Sequence, residues 1–168
     1  MKTKKMKLQS RVFIFAFIFA VVFGYSFPSI GGQNAKCRVM TIHATNKEGK
    51  TDEKLKNLSI LKKPPLNAYK SFLLLSDQYY NLAPDSPVSL NLPLQIEMTG
   101  KLIFKGVNEA LKELNFKLSI LKSKSKEPEE INFALHGKAP FLYVRPFKEG
   151  LLLLSIQCSM ATEDKPPK

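Results

Sequence analysis

FKLSIL, residues 116–121, is the stretch from which the fold is most directly predicted. In an extended chain Phe116, Leu118 and Ile120 would lie on one face, with the side chains between them on the other. Similar alternation recurs between residues 36 and 158, about every 8–12 residues, as in antiparallel sandwiches. We therefore predict a mainly β domain, an antiparallel β-sandwich or barrel-like fold of about eight strands. Its other candidate strands are residues 36–44, 69–75, 79–82, 88–92, 94–98, 102–107, 131–135, 141–145 and 151–158.

Between these strands the sequence predicts one short helix and several turns. Residues 51–61 are assigned to the helix because Thr51 is a suitable N-cap, Leu55, Leu58 and Leu61 repeat at helical spacing, and two prolines follow. Residues 99–101 are predicted to form a turn and residues 122–130, with Glu129 and Glu130, a solvated loop. Residues 108–114 fit either a helical turn or a hairpin connection.

Residues 1–31 have the layout of a secretory signal peptide. Five cationic residues precede an apolar run, VFIFAFIFAVVF at 12–23, and small residues allow cleavage after Ser26 or Gly31. Twelve helical residues reach about 18 Å, which is short of the roughly 30 Å hydrocarbon core of a bilayer. An uncleaved anchor that extends to residue 30 is the alternative. Residues 32–168 are then one domain, with a short disordered tail from about residue 161.

The charge is distributed unevenly between these two parts. The chain has 26 Lys+Arg and 14 Asp+Glu, a formal charge of +12. The leader contains five of the basic residues and no acidic one, which leaves 21 basic and 14 acidic residues, or +7, for the domain. The domain has only two arginines, Arg38 and Arg145, whereas nucleic-acid readers depend on arginine. We therefore do not expect a nucleic-acid partner.

Cys37 in the first strand and Cys158 in the last are predicted to form a disulfide, because export would place them in an oxidising compartment. The alternatives are two free buried thiols, or a metal or redox role. His43, His136, Cys158 and Met160 resemble a cupredoxin ligand set in composition only, since no histidine directly follows the cysteine. We expect neither a metal nor a cofactor.

A segment from Lys62 to Tyr80 combines cations, a proline pair and aromatic rings, a mixture that suits anionic glycans, lipid head groups or the sheet edge of a partner protein. The competing interpretation is that Phe72, Leu74 and one tyrosine belong to the core while the lysines are only solvated. The candidate binding residues are Lys62, Lys63, Tyr69, Lys70, Tyr79 and Tyr80.

No recognisable motif for hydrolysis or phosphate binding occurs in the sequence. The leading functional hypothesis is a non-enzymatic exported binding or scaffolding module of the cell envelope, located in the periplasm, at the cell surface or in the medium. Its partner would be an envelope protein or an anionic glycan or lipid surface. One alternative is an exported enzyme or copper carrier that uses His43, His136 or Cys158. Another is a membrane-anchored subunit of an envelope assembly, in contact with the membrane only through an uncleaved leader.

Sequencing the N-terminus of the protein isolated from its host distinguishes a cleaved leader from an anchor. We expect the first residue to be Phe27 or Gly32, because cleavage after Ser26 or Gly31 follows the small-x-small rule. A mature protein that retains residues 12–23 would contradict cleavage and favour the anchored alternative.

Overall fold

A computed structural model of the protein describes residues 33–161, and this part of the chain forms two four-stranded antiparallel sheets. The first sheet has the strand order β2-β1-β8-β7 and the second β3-β4-β5-β6. The predicted mainly β, two-sheet architecture is therefore confirmed, while the leader helix and the tail after residue 161 lie outside the described residues. The strands are β1 Ala35–Thr45, β2 Ser71–Leu82, β3 Pro87–Leu90, β4 Met98–Asn108, β5 Glu113–Lys122, β6 Glu129–His136, β7 Phe141–Phe147 and β8 Gly150–Met160.

The main core lies between the two sheets and is formed by alternate residues of each strand. Phe116, Leu118 and Ile120 all face inward and are buried, as their spacing predicts. The pairing of β4 with β5 places Phe104 opposite Phe116, so two aromatic rings occupy the centre of the second sheet. The outer face of this sheet is largely polar, which is the usual pattern for a sheet solvated on one side.

The first sheet differs because part of its outer face is buried in addition to its inner face. Residues 46–70, which connect β1 to β2, fold back over its outer face and form a second core there. The connection contributes leucines, and the sheet contributes residues of β1, β2 and β8 that point away from the main core. The buried members of the second core are Leu55, Leu61 and Leu66 from the connection and Met40, Ile42, Ala44, Phe72 and Leu153 from the strands.

The single helix predicted for residues 51–61 is wrong, because the connection forms three separate 3₁₀ turns instead. They span Glu53–Leu55, Ser59–Lys62 and Leu66–Ala68. The cap also differs, since the Asp52 side chain, and not that of Thr51, accepts a hydrogen bond from the backbone N–H of Lys54. One α-helix would bury one narrow stripe, whereas short turns spread the leucines across several strands of the sheet.

The segments on either side of β4 also differ from the prediction in part. Residues 99–101 lie inside β4, where Gly100 is closely packed: a Cβ atom there would be 3.1 Å from Leu90 Cδ1 and 3.3 Å from Ile120 Cδ1, so these side-chain ends would have to shift slightly. The chain instead reverses before β4, in a 3₁₀ turn at Leu94–Ile96, so the strand predicted for residues 94–98 is also wrong. Residues 109–112 form the hairpin connection between β4 and β5, one of the two options for this stretch.

A further difference concerns β2, which replaces two of the predicted strands. The predicted strands 69–75 and 79–82 are one continuous strand, β2, with a β-bulge where the partners of Thr41 and Ile42 are Ser76 and Leu74. The bulge reverses the side-chain alternation, which made the sequence look like two strands. Within residues 33–161 no helix is long and apolar enough to cross a membrane.

The second core can be tested with Leu55→Ala. Leu55 is 1% exposed, so its truncation should leave a cavity and lower the free energy of unfolding by about 2–4 kcal/mol in urea denaturation. The matched control is Leu111→Ala in the β4–β5 turn, where the side chain is 56% exposed and the expected change is within about 0.5 kcal/mol. Equal effects of the two substitutions would contradict a packed interface beneath the connection.

Candidate functional site

Cys37 and Cys158 form the predicted disulfide, between directly opposed residues of β1 and β8. Both sulfur atoms lie on the inner face of the first sheet, and the two residues are 1% and 4% exposed. The bond joins the first and last strands of the described chain across a sequence separation of 121 residues. It is therefore a buried structural crosslink.

The copper ligand set is not assembled. Cys158 is in the disulfide, and His43 lies six residues along β1 from Cys37, which corresponds to about 20 Å of extended strand. His136 lies at the end of β6 in the other sheet, opposite Glu113. No group of three or more His, Cys, Asp or Glu residues with metal-binding proximity occurs within residues 33–161.

The strongest candidate for a binding site is the connection over the outer face of the first sheet. Residues 46–70 contain seven lysines and three acidic residues, so this segment has a net charge of +4. Three of the lysines form ion pairs with Glu149, Glu53 and Glu48. The other four are exposed and have no ion-pair partner among the described residues, and we call them the basic surface: Lys50, Lys54, Lys62 and Lys63.

An open depression of about 400 Å³ lies within the same connection. Its walls are mostly apolar and come from the 3₁₀ turns and from β2, and two lysines and a threonine lie at its margin. We call it the apolar hollow, and it is lined by Leu55, Leu58, Leu61, Phe72, Thr51, Lys56 and Lys62. The basic surface and the apolar hollow share Lys62, so cationic and apolar groups are adjacent here.

The candidate residues of the 62–80 segment do not all reach the surface. Lys62, Lys63 and Lys70 are exposed, and Lys70 pairs with Glu48. Tyr69 is half-buried against the second core. Tyr80 packs beside the main core, where its hydroxyl oxygen accepts a hydrogen bond of 2.7 Å from the backbone N–H of Asn91. The lysines are thus accessible, whereas these two tyrosines are held by internal packing.

Tyr79 is the exception among the tyrosines, since it is 73% exposed. Its ring lies beneath the guanidinium of Arg38, which is 5.7 Å from the ring centroid. Arg38 donates two hydrogen bonds of 2.8 Å to the carboxylate of Asp77, and these bonds lower the pKa of that carboxyl. This cross-strand ion pair was not predicted from the sequence, because it depends on the register of β1 and β2.

A second polar cluster was also missed, at the edge where β6 of the second sheet approaches β7 of the first. The prediction that Glu129 and Glu130 lie in a solvated loop is wrong, because both begin β6. Lys122 lies 3.0 Å from the Glu129 carboxylate and is the main cause of the lowered pKa of Glu129. Tyr143 donates a hydrogen bond to Glu129, and burial followed by this bond raises the pKa of Tyr143. The cluster links the two sheets at this edge.

Comparison of the chain with family models, with curated proteins and with solved structures found no match. The function must therefore be inferred from the described residues themselves. The basic surface is one feature of these residues that neither the main core nor the disulfide requires, and the apolar hollow lies next to it.

The disulfide can be tested by thiol titration and by its removal. We expect no reactive thiol in the unfolded, unreduced protein, because both cysteines are bonded. Cys37→Ala with Cys158→Ala should lower the free energy of unfolding by about 2–5 kcal/mol, since the bond restricts a long loop of the unfolded chain. Wild-type protein treated with a reductant serves as the control and should lose a similar amount. Two reactive thiols in the unreduced wild type would contradict the bond.

Proposed function

We propose that this protein is a non-enzymatic, exported binding module of the cell envelope, and that the basic surface binds an anionic glycan or lipid. The observation that carries the proposal is the distribution of charge. Residues 46–70 contribute +4 of the +7 that residues 32–168 carry, so most of the excess positive charge lies in one connection on one side of the fold. A concentrated cationic face attracts polyanions at long range.

The type of cation also supports a glycan or lipid partner. All four residues of the basic surface are lysines, whose compact ammonium groups bind diffuse anionic charge without a fixed geometry. Base or phosphate recognition in nucleic acids more often uses the planar fork of arginine. A protein partner with an acidic face remains the second form of this hypothesis, and it would use the same lysines.

Export is supported by the disulfide and by the leader sequence. Disulfides persist in oxidising compartments and are rare in a reducing cytosol. The Cys37–Cys158 bond is buried between the sheets, where it contributes to the stability of the fold. Together with the signal-peptide pattern of residues 1–31, it favours a protein that works outside the cytosol.

The proposed binding surface is tested by chromatography on heparin resin, which serves as a polyanion probe. Lys62→Glu with Lys63→Glu changes the charge of the basic surface by four units, so we expect elution at a clearly lower salt concentration than for the wild type. The same variant should sediment less with vesicles that contain anionic lipid.

The matched control is Lys101→Glu with Lys138→Glu. These two lysines are exposed, lie outside the connection, and form no ion pair with the described residues. The control changes net charge equally, so it should retain most of the wild-type retention if binding is local to the connection. Equal loss in both double variants would contradict a specific surface and indicate only net charge.

A further inference from the structure

We propose that the uncovered part of the outer face of the first sheet binds the sugar rings of an anionic glycan, with one ring stacked on Tyr79. This inference rests on the proposed function and selects the glycan over the lipid. We call this surface the polar face. It consists of outward-pointing residues of β1, β2 and β8 that the connection does not cover: Lys36, Arg38, Asp77, Tyr79, Asn81 and Gln157.

The register of the strands places these residues on one flat surface. Tyr79 of β2 and Gln157 of β8 are the partners of Arg38 on its two sides, and Asn81 is a partner of Lys36. Neighbouring strands lie about 4.8 Å apart and residues two apart along a strand about 7 Å, so the polar face measures roughly 10 Å by 14 Å. Lys36, Tyr79 and Asn81 are exposed, so a flat ligand reaches them from solvent.

Tyr79 supplies the stacking surface that a sugar ring needs. It is 73% exposed and belongs to neither of the two cores. The face of an aromatic ring carries partial negative charge, which attracts the C–H groups on the face of a sugar ring. Arg38 lies over one side of the Tyr79 ring and is held by two hydrogen bonds to Asp77, so the surroundings of the ring are ordered before binding. A tyrosine also loses little side-chain entropy when a ligand covers it.

The rest of the polar face consists of hydrogen-bonding groups, which favours a glycan over other partners. The exposed Asn81 amide can donate to and accept from sugar hydroxyls. The Gln157 amide nitrogen donates to the backbone carbonyl of Lys138 at 2.8 Å, which leaves the amide oxygen as an acceptor. An acyl chain would find one ring and no apolar groove here. The centre of a protein interface is richer in apolar groups and poorer in charge than this face, where only Tyr79 of the six residues is aromatic or apolar.

The charge of the polar face complements an acidic sugar. The Asp77 carboxylate is paired with Arg38, whereas the exposed Lys36 has no ion-pair partner among the described residues. Arg38, and to a smaller extent Lys54, lowers the pKa of Asp77, so the Lys54 ammonium group lies near this part of the sheet. Since Lys54 belongs to the basic surface, the two surfaces are adjacent. One glycan chain can therefore place its acidic groups on the lysines and a ring on Tyr79.

The test is isothermal titration of the protein with a heparin hexasaccharide and with inorganic polyphosphate of similar charge, a polyanion without sugar rings. Tyr79→Ala should weaken hexasaccharide binding about fivefold and leave polyphosphate binding unchanged, because only the sugar stacks on the ring. Tyr79→Phe keeps the aromatic ring and should have wild-type affinity for both ligands. Leu73→Ala is the control, since Leu73 is 52% exposed on the same strand but lies outside the polar face, and its hexasaccharide affinity should equal that of the wild type.

Tyrosine fluorescence tests the stacking contact directly, because the chain contains no tryptophan. The hexasaccharide should change the tyrosine emission of the wild type. In Tyr79→Phe it should still bind, with most of the emission change lost.

Three results would overturn the inference: wild-type hexasaccharide affinity in Tyr79→Ala, which would leave the ring to a protein contact, equal losses of hexasaccharide and polyphosphate binding in that variant, or unchanged wild-type emission at saturation. If both polyanions bind and depend on Lys62 and Lys63 but not on Tyr79, the basic surface stands and the polar face falls. If the wild type binds neither polyanion, both proposals fall.

Discussion

The first sheet of this protein is apolar on its inner face and on part of its outer face, and the rest of the structure depends on covering that outer apolar part. Met40 and Ile42 in β1 and Leu153 in β8 point away from the main core, so a simple sandwich would leave them in water. Burying a side chain of this kind contributes about 1.5–3 kcal/mol. This gain acts against the entropy lost when residues 46–70, which form only short turns, are ordered over the sheet.

Covering the sheet gives this connection two chemically different sides. Its buried leucines face the sheet, and its lysines face solvent, as in an amphipathic helix but without helical periodicity. Leu55 ends the first turn, Leu58 is the N-cap of the second and Leu61 lies within it, so the cover is not continuous and an open depression remains among these side chains. The same requirement that stabilises the fold therefore creates a surface where hydrocarbon and ammonium groups are adjacent.

The sequence predicts the structure best for strands that are buried on one face only. In β5, apolar residues alternate with polar ones because the other side of the strand faces water. The prediction that Phe116, Leu118 and Ile120 share one buried face is confirmed. The connection was mistaken for a helix because leucines three apart suit a helix and separate turns alike. A signal for two-sided burial was present in Leu151–Leu154, an unbroken apolar run of the kind that strands covered on both faces show. Of the candidate site, the exposed lysines could be predicted, whereas the burial of Tyr80 depends on tertiary contacts.

The disulfide and the connection act on the same two strands. Cys37 and Cys158 fix β1 to β8 from the main-core side, and the leucines of the connection hold the same pair from the outside. The two contacts lie at different places along these strands, because the disulfide joins the start of β1 to the end of β8 whereas the connection covers Met40, Ile42 and Ala44 further along β1. Lys62 ends the 3₁₀ turn Ser59–Lys62 and Lys63 follows it, and both are exposed, so the charge of the connection is presented to solvent on the side away from the sheet.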